Sequence, residues 1–286
     1  MMPRMLSLEI NAVCNAKCIM CPQSTLARRG KTMPKKDVLS IVGQAVEGLG
    51  VKRVQPHLYG ESHLHPDYVE ILSEIKRRWP NVVLSDTTNG SALTKPEIAT
   101  TMYTHLDKLT ISLDGATAGM IEDIRPGLHG AAVIEGVIEY LGRQDCGQEI
   151  LVNTVVMDLN RAHVRLIGDM LRATGRKLGH GICEVSDLHG HTESGKPLRD
   201  MSSACSRPFH VVTVNVLGDM ILCCRDQDSE EVFGTDLAEG GLVESWNSPA
   251  FSQLRMIHED ETSDLVDLCS RCTYKGYMRK GELCSR

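Results

Sequence analysis

No stretch of this chain approaches the roughly 20 consecutive apolar residues of a membrane-spanning helix. The opening MMPRMLSLEI lacks the long apolar region and the cleavage site of a secretory signal. Excess positive charge is missing too. The formal net charge is -6, which argues against a nucleic-acid-binding surface. No internal repeat and no low-complexity tract interrupts the 286 residues, a length that suits one large domain or two smaller ones. These absences predict a soluble, cytoplasmic protein with neither membrane nor nucleic acid among its partners.

What the chain does have is cysteine. Eleven is a large number, and it is odd. In a secreted domain it would suggest a disulfide framework. Here the cysteines come in tight metal-type spacings without a secretion signal, so metal or cluster ligation is the better reading, and oxygen sensitivity follows from it. Cys14, Cys18 and Cys21 form C-x3-C-x2-C directly after the alternating run Leu6-Ser7-Leu8-Glu9-Ile10. Three thiolates on one short loop can hold three corners of a 4Fe–4S cube and leave the fourth iron open to a ligand. A zinc loop is the alternative, with a fourth ligand from His57, His63 or His65.

Residues 1–195 alternate strand-like and helix-like segments. Predicted strands are Leu6–Ile10, Arg53–Leu58, Val82–Asp86, Leu109–Leu113, Ile150–Val156 and Gly181–Ser186. Predicted helices are Lys35–Gly48, Tyr68–Arg78, Lys95–Thr104, Ala131–Leu141 and Arg161–Thr174, with start signals at Pro34, Pro66-Asp67, Thr94 and Pro96. The expected fold class is α/β, a parallel sheet that is open or curled into a partial (β/α)6 barrel. In a barrel, apolar positions face the outer helices. That leaves Ser7, Glu9, Gln55, His57, Tyr59, Ser85, Thr87, Asn89, Thr110, Ser112, Asp114, Asn153, Glu184 and Ser186 on the inner side. A purely structural barrel would be filled with Val, Ile and Leu; this lumen is polar and suits water and a polar ligand. An open sheet with a solvated polar face is the alternative.

Residues 196–286 read differently. Cys205, Cys223, Cys224, Cys269, Cys272 and Cys284 gather there, with a hairpin turn signal at Gly218-Asp219. Asp187–Asp200 reads as a linker or lid. A structural zinc site with four cysteines has similar C-x2-C elements. Of the remaining thiols, Cys146 lies in an expected turn, and Cys183 falls on the apolar side of the sixth strand, as a core thiol would. His57 faces the lumen, where it can hydrogen-bond or deprotonate substrate. Glu184 and Glu9 are candidates to orient a hydroxyl or amine. His63 and His65 read as braces for the following helix.

The cysteine loop resembles that of the radical S-adenosylmethionine (radical SAM) superfamily, and the resemblance extends past it. Tyr59-Gly60-Glu61-Ser62 looks like the family's GGEP segment, whose backbone meets the SAM amino group; Tyr59 replaces a glycine and Ser62 the proline. Ser112 and Asp114 look like the strand-end motif that reaches the ribose or carboxylate of SAM. Arg125 matches an arginine that meets the carboxylate, Asn153 is a ribose-contact candidate, and Met20 stands where many members place an aromatic residue against adenine. The resemblance implies that SAM chelates the open iron and that one electron cleaves it to methionine and a 5'-deoxyadenosyl radical.

The C-terminal cysteines resemble the SPASM/Twitch extension of that family, in its short Twitch form. On that resemblance Cys205, Cys223, Cys269 and Cys272 fill the corners of an auxiliary 4Fe–4S cluster, with Cys224 able to replace Cys223. The cofactors implied are SAM and two 4Fe–4S clusters, one binding SAM and one auxiliary. The arrangement resembles that of the butirosin-pathway type of aminocyclitol dehydrogenase. It implies oxidation of a small polar, sugar-like substrate, with His57, Glu184 and Cys183 as catalytic candidates and a flavodoxin- or ferredoxin-type electron donor. Radical epimerisation of a sugar, antibiotic or peptide, with one of Cys146, Cys183, Cys224 and Cys284 returning a hydrogen atom to the substrate radical, and maturation of a peptide or protein, are the alternatives.

Overall fold

The computed structural model describes residues 2–143, 147–184 and 205–272. Cys146, Cys284, Ser186 and the expected linker 187–200 lie outside these residues. The first part runs β1 (Met5–Leu8), α1 (Lys35–Gly43), β2 (Arg53–Gln55), α2 (Tyr68–Arg78), β3 (Val83–Thr88), α3 (Pro96–His105) and β4 (Lys108–Ser112). It continues through α4 (Ala118–Ile124), α5 (Gly130–Leu141), β5 (Glu149–Val156), α6 (His163–Ala173) and β6 (Gly179–Glu184). A C-terminal series follows: α7 (Arg207–His210), β7 (Val211–Val214), β8 (Met220–Ile221), β9 (Val232–Gly234), α8 (Leu242–Trp246), α9 (Pro249–Glu259) and α10 (Asp267–Ser270).

The strands form one sheet in the order β6-β5-β4-β3-β2-β1-β7-β8-β9. Neighbouring strands from β1 to β6 are all parallel, which with the intervening helices makes the partial (β/α)6 barrel. The pattern behind it is plain. In α2, Tyr68, Ile71, Leu72 and Ile75 are buried at helical spacing while Lys76, Arg77 and Arg78 close the last turn. In β4, Leu109 and Ile111 are buried and Thr110 and Ser112 are not. The C-terminal part extends the same sheet. β7 pairs parallel with β1, Met5 opposite Val211 and Leu8 opposite Val214, and the β7–β8 hairpin turns at Gly218 with φ +88°. One continuous buried core includes Leu6 and Ile71 of the barrel and Val212, Trp246 and Phe251 of the C-terminal part. Among the described residues no helix is long and apolar enough to cross a membrane.

One expectation for β6 is reversed. Register sets Ser112 opposite Asn153, Asn153 opposite Gly181 and Val155 opposite Cys183, so Cys183 shares the inner face with Ser112. It is an exposed thiol, 3.7 Å from the Asn153 side-chain nitrogen, not a core one. Glu184 pairs with Val156; the expectation that its side chain faces the lumen lies outside the described residues. The physical reason is that β6 is the last strand of its side of the sheet. Its outer face is only partly covered, and Ile182 is 58% exposed, so the apolar pattern no longer reports the face.

Candidate active site

The carboxyl ends of β1–β4 converge on a cavity of about 200 Å3 that the cysteine loop closes. Cys14, Cys18, Met20 and Cys21 line it with His57, Tyr59, Gly60, Glu61, Thr87, Thr88, Asn89, Ser112 and Arg125. Backbone contacts hold the loop on two sides. Asn11 Nδ2 donates to the carbonyls of Val13 and Glu61, at 3.2 and 3.0 Å, and Asn11 Oδ1 accepts from the Val13 amide. Only glycine fits at position 60, because a Cβ there would lie 1.8 Å from the Asn11 carbonyl oxygen. Opposite, the amides of Lys17 and Ile19 donate to the carbonyls of Pro126 and Ile124. Gly127, at φ +99°, passes so near that a Cβ would lie 2.5 Å from the Asn15 carbonyl oxygen.

The charged groups are paired beneath this surface. Glu61 Oε1 accepts from the Thr88 hydroxyl at 2.6 Å and pairs with His63 Nδ1 at 2.9 Å; Oε2 accepts from the Asn89 amide. Burial pushes the Glu61 carboxyl up, but His63, Thr88 and Asn89 together outweigh it and hold the group below its ordinary value. Arg125 donates to Asp114 Oδ2 through Nε at 2.9 Å, and its Nη1 lies 3.6 Å from Cys18 Sγ. Burial pushes the Cys14 thiol up to about 12 and the Cys18 thiol up to about 11, with Arg125 pulling the other way at Cys18. Such sulfurs ionise against a cation, which is what iron supplies. Three free, neighbouring thiols of soft donor type fit an iron–sulfur cluster. Among the described residues no three His, Cys, Asp or Glu groups converge as ligands of a single ion would. The fit of both cysteine sets therefore rests on donor type and shared surroundings.

The predicted residues do not all meet. His57, Gly60, Glu61, Ser112 and Arg125 reach the cavity; Asp114 and Asn153 are not among its lining. Asp114 is fully buried, with Oδ2 on Arg125 and Oδ1 on the Val155 amide, so it holds Arg125 in place. Asn153 sits with Cys183 further along the inner face. Glu9, expected to face substrate, is 0% exposed in an ion pair with Arg28, a partner that strand parity cannot reveal. Arg28 also donates to the Gln227 carbonyl and lies over the Tyr59 ring. The Tyr59 hydroxyl donates to the Cys224 carbonyl at 2.7 Å.

Sequence reasoning missed a carboxyl below His57. Asp86, within β3, accepts from the Tyr68 hydroxyl at 2.7 Å and the Ser62 hydroxyl at 3.0 Å, and lies 4.0 Å from His57 Nδ1. Burial pushes it up to about 7. Burial also lowers His57, against the pull of Glu61. In the C-terminal part, Cys223, Cys269 and Cys272 are buried and Cys205 is partly buried. Burial, and then the neighbouring Cys224, push the Cys223 thiol up, with Cys205 adding to the effect. His258 lies between Cys205 and Cys269; the one sequence signal for it is its helical spacing with buried Phe251, Leu254 and Arg255.

Comparison with known proteins agrees with this layout. A family model for the radical SAM superfamily matches residues 8–171, and one for the SPASM iron–sulfur cluster-binding domain matches residues 205–273. An S-adenosyl-L-methionine-dependent 2-deoxy-scyllo-inosamine dehydrogenase of Niallia circulans is 21% identical over 272 residues, 94% of this chain and 92% of that protein. A GTP 3',8-cyclase of Paenarthrobacter nicotinovorans is 33% identical over 110 residues, 37% of this chain and only 30% of the cyclase. Among solved structures, BtrN in complex with AdoMet and 2-DOIA superposes with TM-score 0.68 at 17% identity, covering 98% of this chain and 96% of BtrN. Streptococcus suis SuiB bound to S-adenosylmethionine gives TM-score 0.73 at 16% identity, covering 100% and 78%. At such identities the likeness is one of fold.

Proposed function

The chain belongs to the radical SAM superfamily, and from that footing we propose that it oxidises a hydroxylated, sugar- or aminocyclitol-like substrate. It is a radical SAM enzyme that binds S-adenosylmethionine and a 4Fe–4S cluster, with auxiliary iron–sulfur in its SPASM region. When bound, the first cluster and SAM supply a 5'-deoxyadenosyl radical that removes a carbon-bound hydrogen, and the auxiliary cluster accepts an electron. Cys14, Cys18 and Cys21 hold the first cluster; Cys205, Cys223, Cys269 and Cys272 hold the second. The backbone of Gly60 and Glu61 receives the SAM amino group, Arg125 its carboxylate, and Ser112 and Asn153 its ribose. His57 takes the proton from the substrate hydroxyl. The balance is an alcohol losing one hydrogen atom, one proton and one electron to become a carbonyl. A flavodoxin- or ferredoxin-type protein supplies the reducing electron.

The observation that carries this reading is the cavity that groups the three N-terminal thiols with His57, Gly60, Glu61, Ser112 and Arg125. The full-length similarity to the inosamine dehydrogenase supports the choice of substrate class. Epimerisation is the second reading, favoured by the exposed Cys183 thiol on the inner face of β6. Incubation of anaerobically reconstituted protein with SAM, dithionite and 2-deoxy-scyllo-inosamine tests both. Oxidation yields a product lighter by the mass of H2. Epimerisation leaves the mass unchanged and takes up deuterium from heavy water. Alanine at Cys14, Cys18 and Cys21 together abolishes 5'-deoxyadenosine formation; persistence of that product sinks the assignment.

A further inference from the structure

His258 is 1% exposed on the buried side of α9. Its Nδ1 lies 3.3 Å from the Cys205 amide nitrogen, which donates to it. Its Nε2 lies 3.6 Å from Cys269 Sγ. A backbone N–H is only a donor, so Nδ1 carries no proton and the ring hydrogen sits on Nε2, facing the sulfur. The helix bearing it is clamped, because Arg255 donates to the carbonyls of Pro208 and Trp246 at 3.0 and 2.9 Å. The imidazole is therefore placed by the fold and not by a loose rotamer.

We propose that His258 donates an Nε2–H···S hydrogen bond to the Cys269 thiolate of the auxiliary cluster and so raises that cluster's reduction potential. The role rests on Cys205, Cys223, Cys269 and Cys272 being the ligands. A donor at sulfur stabilises negative charge, and the reduced cluster carries one charge more than the oxidised one, so the bond favours reduction. The substrate radical gives one proton to His57 and one electron to the cluster, closing the balance of the oxidation.

The test uses the full chain carrying Cys14→Ala, Cys18→Ala and Cys21→Ala, so that the auxiliary cluster is the one chromophore. Its midpoint potential is read by electron paramagnetic resonance during a redox titration, alongside iron content. His258→Asn keeps an acceptor for the Cys205 amide and removes the donor to sulfur; His258→Gln presents an N–H near the lost Nε2. The expected result is a lower midpoint in His258→Asn, recovery in His258→Gln, and about four irons per chain in both. An unchanged midpoint in His258→Asn, or equal loss of iron from both variants, overturns the proposal. Full iron retention in Cys269→Ala would instead remove the ligand set itself, and this role with it.

Discussion

At the residue scale the cavity depends on groups that never touch a ligand. His57 is one step from Asp86, with the Ser62 hydroxyl 3.4 Å from its Nδ1 and 3.0 Å from Asp86 Oδ1. His57→Gln is expected to cut product formation by roughly 10²-fold or more while SAM cleavage without substrate continues; chromatography of 5'-deoxyadenosine against product separates the two. Asp86 leaves a mark on stability. Its carboxyl stands at about 7 in the fold, above an unfolded value of about 3.9. Its contribution is present below pH ~4 and lost as pH rises through ~7, on the order of 4 kcal/mol at most. Asp86→Asn removes that slope, so denaturation of the apo chain should show the wild type losing stability relative to the variant between those pH values. A parallel pair of curves sinks the reading. Tyr68, Ser62, the Thr87 amide, His57 and Glu61 all face this carboxyl, and apart from Thr87 these neighbours lie 18 or more positions away, where no motif would display them. That is why the cysteine spacing was legible and Asp86 was not.

Element by element, the barrel was readable because each helix and inner strand repeats one signal. α2 spans Tyr68–Arg78 as its periodicity predicts, and the other predicted elements fall within a few residues of the observed ones. The β2 strand is shorter than its apolar pattern suggests, ending at Gln55. Past it the chain leaves the ladder to carry His57, Tyr59, Gly60 and Glu61 across the cavity. The β6 faces failed to read because an edge strand with a half-covered outer face does not sort its residues by polarity. The junction of β2 with the cysteine loop gives a sharp prediction. Gly60→Ala puts a methyl group onto the Asn11 carbonyl, forcing the two segments apart. SAM affinity, measured by equilibrium binding, should fall steeply while the iron held by the C-terminal part stays in place; unchanged affinity contradicts the close-packed junction.

For the whole molecule, the division into a barrel and a C-terminal part describes sequence better than mechanics. β7 continues the sheet from β1, Glu9 is shared by Arg28 and the Val216 amide, and the buried core is continuous. None of this was visible in the chain, because strand pairing across about 200 positions leaves no local pattern. Calorimetry of the apo protein should therefore show one cooperative transition and not two; two well-separated peaks would contradict the shared core.

One bond carries this union into the chemistry. Tyr59, a wall of the cavity behind the cysteine loop, is tied by its hydroxyl to the carbonyl of Cys224, next in the chain to Cys223, a ligand in the proposal above. A shift of that carbonyl would carry the Tyr59 hydroxyl with it, because the two are hydrogen-bonded. On the ligand set proposed above, SAM affinity measured against C-terminal iron content is expected to fall in under-loaded preparations; an affinity that does not follow iron content contradicts the link.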